Sequence, residues 1–171
     1  DLTDEEKAAA KSEAKAKADA VKATIDNATT NAEVEQAKVT GTTEVTSVNP
    51  EALTKSAAKQ SIDEALKAKT DEIDARTDLT DEEKTAAKGD AKTKADAAKT
   101  AIDNATTNDA VTQAKNDGAA SVASVTPAAV VKTAAKQSID EALKAKNDEI
   151  DARTDLTDEE KAAAKSEAKA K

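Results

Sequence analysis

Apolar side chains are sparse along this chain, and where they occur they fall three and four residues apart. Over residues 3–28 the stripe is Ala14, Ala18, Val21, Ile25 and Ala28, the spacing of one helix face. Thr3 and Glu6 stand at capping-box spacing, and Asp4, Glu5 and Glu6 suit the positive start of a helix. Thr29-Thr30-Asn31 reads as a turn and the next cap. A second helix is predicted over about residues 32–47, through Val34, Ala37, Gly41, Val45 and Val48. Asn49-Pro50 ends it and is expected to open a third over about residues 50–75, because proline suits the first helical position and Asn the cap. The third stripe is Leu53, Ala57, Ile62, Leu66 and Ile73. Only residues 39–48, rich in Thr and Val and containing Gly41, have strand-like character. The corresponding stretch further on carries Ala119, Ala120 and Ala123 instead, which favours helix.

The pattern then repeats. Asp-Leu-Thr-Asp-Glu-Glu-Lys begins at Asp1, Asp78 and Asp155, so the period is 77 residues. Residues 1–77 and 78–154 match at 55 of 77 positions without a gap. A period of this kind marks a repeat architecture. Cut at Asp1, the chain reads as repeat 1 (1–77), repeat 2 (78–154) and the first helix of a third (155–171). The expected fold is all-α: tandem up-down-up three-helix bundles stacked end to end into an elongated rod. An odd number of antiparallel passes puts entry and exit at opposite ends. The link 77–80 looks too short for neighbouring modules to fold back side by side, so the rod is expected to continue through it. Leu79 and Leu156, with Thr80 and Glu83, are the expected junction residues. Gly41 and Gly118 are read as points of close helix packing rather than hinges. Residues 155–171 are expected to be helical only as a continuation of the preceding helix or against a neighbouring molecule.

Composition narrows the chemistry. The 171 residues include no Phe, Tyr, Trp, Cys, Met or His, and Leu, Ile and Val together number 22. Alanine therefore has to fill thin cores. Without Cys and His there is no thiol nucleophile, no disulfide and no imidazole base or ligand, and no catalytic residue, cofactor or metal is predicted. A net charge of −9, with no basic cluster or stacking aromatic, disfavours nucleic acid. No run is apolar for long enough to insert in a membrane. The pairs Asp63-Glu64 and Asp71-Glu72 read as solvated helix faces, since catalytic carboxylates need burial and calcium needs a glycine-turned loop of oxygens. Lys59, Lys67 and Lys69 read as partners in surface ion pairs.

The run Thr3 to Lys7, the run Ala23 to Asn31, Gln36-Ala37-Lys38 with Gly41, and Val45 with Asn49-Pro50 carry a resemblance. The chain resembles the helical repeats, historically a domain of unknown function, of Gram-positive (staphylococcal, streptococcal and lactobacillal) cell-wall-anchored surface adhesins. The resemblance implies a secreted, wall-anchored protein whose anchor lies outside this segment. It implies a structural stalk that projects an adhesive domain from the wall, and it supplies no catalytic or ligand-binding residues. The leading expectation is a non-enzymatic monomer whose partners are neighbouring repeats of its own chain. The alternative is a module for host extracellular proteins of the albumin, immunoglobulin, fibrinogen or fibronectin class, or for cell–cell association. Binding hot spots favour Trp, Tyr and Arg, and this chain offers only Arg76 and Arg153.

Overall fold

The structure, a computed structural model, describes residues 1–170. Among these residues there is no strand, and the helices are α1 (Asp4–Asn27), α2 (Asn31–Thr46), α3 (Leu53–Ala75), α4 (Asp81–Asn104), α5 (Asn108–Ala123), α6 (Val130–Ala152) and α7 (Asp158–Ala170). The caps account for most of the starts. Thr3 and Glu6 form a reciprocal capping box on α1, Thr30 and Glu33 form another on α2, and Thr107 caps α5. The Thr-rich second half of α2 stays helical because its hydroxyls bond back along the helix. Thr42, Thr43 and Thr46 donate to the carbonyls of Lys38, Val39 and Thr42 at 2.8, 3.1 and 2.8 Å.

Three expectations are corrected. Proline does not open the third helix of the pattern: α3 starts at Leu53 and α6 at Val130, each three residues after its Pro. Ala129, just before α6, has φ −80° and ψ 74° and supplies no side-chain cap. The first free N–H groups of these helices are met instead by a distant carboxylate, which sets where each begins. Second, α7 is not a continuation of α6 but packs against it within the same chain. The chain breaks at residues 153–157 and turns back, so that Lys165 of α7 pairs with Asp151 near the end of α6. Third, the link 77–80 does fold back. Lys59 of α3 meets Asp103 of α4 at 2.9 Å, and Asp63 meets Lys99 further along, so α3 and α4 run antiparallel and side by side. A four-residue turn suffices because Arg76 grips Asp78 through two hydrogen bonds of 2.7 and 2.6 Å, while Ile73 and Leu79 go inside.

The chain divides into two compact units: Asp1–Asp71 with Lys88–Val125, and Glu72–Ala87 with Thr126–Lys171. In the first, α3, α4 and α5 share one core of Ala58, Ile62, Ala95, Ala98, Ile102, Val111 and Val122. Alanine supplies three of those seven side chains, two on α4 and one on α3, so the helices approach closely. The α1–α2 hairpin also belongs to this unit. Its α1 has no buried residue, and α2 buries only Gly41. The second unit holds the α3–α4 turn and the α6–α7 hairpin, with Ile73, Leu79, Ala87 and Ile150 buried.

Candidate functional site

The distinctive chemistry lies in the Thr-x-x-Glu run that opens α1, α4 and α7. A capping-box glutamate needs only one oxygen for its own helix. Glu6 uses Oε2 to accept from the Thr3 N–H at 2.9 Å, while Thr3 Oγ1 accepts from the Glu6 N–H at 3.3 Å. Its other oxygen, Oε1, accepts from the Thr54 N–H at 2.9 Å, in the first turn of α3. Glu83 repeats the arrangement within the second unit. Oε2 takes the Thr80 N–H at 2.8 Å, and Oε1 takes the N–H groups of Val130 and Val131 at 2.8 and 3.0 Å. Each carboxylate thus sits between two helix starts, where unsatisfied N–H groups make the potential positive. Glu160, at the head of α7, makes only the local box with Thr157, at 2.8 and 3.3 Å.

The electrostatics follow from those donors. The N–H groups of Thr54 and Thr3 pull Glu6 well below the usual carboxylate range, from 4.5 to about 2. Glu83 is lowered first by the Thr80 N–H and then by that of Val131, and Glu160 by Thr157 alone. Stabilisation of the ionised form by hydrogen bonds is the common cause.

Neighbouring contacts reinforce each point. In the first unit Thr3 is fully buried, the Asp4 N–H donates to the Thr106 carbonyl at 2.7 Å, and the Asn108 N–H donates to Glu5 Oε2 at 3.0 Å. Lys55 buries its stem and donates to the Asp103 carbonyl at 2.7 Å. The first turn of α1 therefore rests on the start of α3 and on the α4–α5 turn. In the second unit Lys132 donates to the Thr77 carbonyl at 2.7 Å and Lys84 to that of Asp74 at 2.9 Å. The first bond holds the start of α6 against the α3–α4 turn, and the second ties α4 to the end of α3. What the arrangement does is join chain segments far apart in sequence.

The residues singled out from sequence fall as follows. Thr80 and Glu83 lie in this network. Leu79 is buried in the α3–α4 turn, and Leu156 is half-buried beside Ile150, Arg153, Ala164 and Ala168. Gly118 of α5 faces α4: a Cβ there would overlap that of Ala98 and lie 3.1 Å from Ile62 Cδ1. Gly41 of α2 faces Val21 of α1, whose Cγ2 would lie 2.6 Å from an added Cβ. Sequence reasoning missed the second oxygen of Glu6 and Glu83 and the helix starts that it serves. The available signal was negative: Ala52 and Ala129 precede α3 and α6 without a capping side chain, so those N–H groups needed an acceptor from elsewhere.

With the packing known, the comparison with other proteins settles the family. The description "Domain of Unknown Function (DUF1542)" matches residues 1–53, 54–130 and 131–171, which together take in the whole chain. The chain belongs to the DUF1542 family. Its middle match spans the same 77 residues as the internal period, cut 53 residues later than the cut at Asp1. That DUF1542 span runs from the first turn of α3 to the first residue of α6, and it holds the whole shared core of α3, α4 and α5. Similar proteins include the extracellular matrix-binding protein EbhA of Staphylococcus aureus strain Newman, 37% identical over 141 residues, or 82% of this chain and 4% of that protein. EbhA of strain Mu3 is 36% identical over the same share of this chain and 2% of its own length. The extracellular matrix-binding protein ebh of strain MW2 is 33% identical over 165 residues, 95% of this chain and 2% of that protein. The chain thus spans only a few per cent of these relatives' length. No solved structure matches it. Among the described residues no helix is long and apolar enough to cross a membrane.

Proposed function

We propose that this chain is a run of non-enzymatic spacer repeats of a bacterial surface adhesin, adding length between a cell-wall anchor and an adhesive domain. One observation carries the reading. Within the first unit α3, α4 and α5 make three antiparallel passes around one core, so the polypeptide enters at one end of that bundle and leaves at the other. Copies joined through such a unit accumulate as reach. The carboxylates of Glu6 and Glu83, each bonded to two helix starts, would stiffen the connections between copies. Relatedness to staphylococcal surface proteins supports a place at the cell surface.

Small-angle X-ray scattering extrapolated to zero concentration tests it. Two helix lengths in line come to about 70 Å, or a radius of gyration of about 20 Å or more. A value of about 15–16 Å, that of a 171-residue globule, would reject the stalk.

The relatives' name favours a second reading, in which the repeats themselves hold a matrix protein. Saturable binding of immobilised fibronectin or fibrinogen to the intact chain, at sub-micromolar concentration, would support that reading over a pure spacer.

A further inference from the structure

Helix starts in this chain follow one rule with two exceptions. Among the described residues, α1, α2, α4, α5 and α7 each begin directly after a threonine, at Thr3, Thr30, Thr80, Thr107 and Thr157. In contrast, α3 and α6 begin after Ala52 and Ala129, whose methyl groups accept nothing. The first N–H groups of a helix have no partner inside it. The acceptor that α3 and α6 lack locally is Oε1 of Glu6 and of Glu83.

The register of this bond repeats with the period. Glu6 accepts from the Thr54 N–H, 48 residues on, and Glu83 accepts from the Val131 N–H, again 48 residues on. The receiving side chains differ, Thr and Val, so what is kept is the backbone N–H and the carboxylate that meets it. Thr54 and Val131 are also the first residues of the DUF1542 matches 54–130 and 131–171, while Glu6 and Glu83 each lie in the match before. Both bonds therefore cross from one family repeat to the next. The dependence is unequal. The helix that carries the carboxylate closes its own threonine box through Oε2 and stays capped without the long bond. The helix that receives it has no side-chain cap of its own.

We propose that each repeat caps the first helix of the next, so that order passes along the chain in one direction, from a repeat to its successor. Opening the start of α1 removes the acceptor of α3, and opening the start of α4 removes that of α6. Opening α3 or α6 leaves the boxes of α1 and α4 closed. The first turn is the costly step of helix formation, so the bond acts where a helix is hardest to start. In a chain made from its N-terminus, the glutamate precedes the N–H it serves by 48 residues and is there to receive it. This coupling rests on the bonds and not on the spacer reading, so the exchange test below and the scattering test can each fail alone.

Glutamine provides the experiment, because an amide has one acceptor oxygen where a carboxylate has two. The local box accepts glutamine, so Glu6→Gln and Glu83→Gln keep the box and lose the long bond. Amide hydrogen exchange is followed by NMR on the intact chain. It is expected to speed up about tenfold to a hundredfold at Thr54 in the first variant, and at Val130 and Val131 in the second. Exchange in the first turns of α1 and α4 should stay as in the parent chain. Glu82→Gln, which removes the same charge from the neighbouring exposed position of α4, should change neither start. A local cap should undo the loss. Ala52→Asp added to Glu6→Gln, and Ala129→Asp added to Glu83→Gln, place a capping carboxylate where the other helices have threonine, and exchange should return towards that of the parent chain. Unchanged exchange at Thr54, Val130 and Val131 would overturn the proposal. So would equal acceleration at both helix starts, an equal effect of Glu82→Gln, or no rescue by either aspartate.

Discussion

Glu83 and Glu160 occupy equivalent places in the period but not equivalent surroundings. Glu83 accepts from the starts of two helices, and Glu160 from one. Glu83→Gln should therefore lower the thermal midpoint, read by circular dichroism, by clearly more than Glu160→Gln. Thr80→Ala, which removes only the hydroxyl half of one capping box, should destabilise by about 1 kcal/mol. The same carboxylates give the chain an acid limit. Glu6, Asp78 and Asp155 are each held at about 2, the first by backbone N–H groups and the others by Arg76 and Arg153. In the unfolded chain they bind protons nearer 4.5 for Glu and 3.8 for Asp. Between those values and about 2 the unfolded state takes up protons that the folded state refuses, so acid favours unfolding there. Stability from these groups is complete above pH 4.5 or so and declines as pH falls towards 2. Melts across that window should show the decline, and Glu6→Gln should flatten part of it. A midpoint unchanged down to pH 2 would contradict the assignment.

At the level of single helices, the three glycines separate by what stands opposite them. Gly89 has nothing within 4 Å of an added Cβ, whereas Gly118 would drive one into Ala98. Gly89→Ala should therefore stabilise by about 0.5–1 kcal/mol, because alanine loses less backbone freedom on folding. Gly118→Ala should destabilise by about 1–3 kcal/mol through overpacking. Urea midpoints measured on the two variants decide it, and equal shifts of the same sign would show that the α4–α5 crossing is loose. Helix location was largely legible in the residues, because Thr3, Thr30 and Thr107 are local caps and their partners lie three residues on. The starts of α3 and α6 were not. Pro50 and Pro127 advertise a helix start, yet Val130 begins α6 because that is where the carboxylate of Glu83 can reach.

For the molecule as a whole, the period says that Ile62 and Ile139 are the same residue, and the packing says that they are not. Ile62→Ala should cost about 2–5 kcal/mol, the range for a fully buried aliphatic side chain. Ile139→Ala, measured on dilute chain, should stay within about 0.5 kcal/mol. Chemical denaturation of both variants reads the difference directly. Equal losses would mean that α6 is covered in solution even when the molecules are far apart. The spacer reading rests on the passes of α3, α4 and α5 around one core. Scattering at vanishing concentration addresses it.

Helical class, the 77-residue period and the absence of thiol and imidazole chemistry were determined by the sequence alone. These depend on local spacing, local caps and the residue types present. Where a repeating chain should be cut is not local. Every cut of a period leaves the same letters, and only packing tells which three consecutive helices share a core. Contacts such as Lys59 with Asp103 and Ala98 with Gly118 placed that core on α3, α4 and α5. The turn after Thr77 is a hairpin within the packed unit because burying Ile73 and Leu79 outweighs the short span of the link.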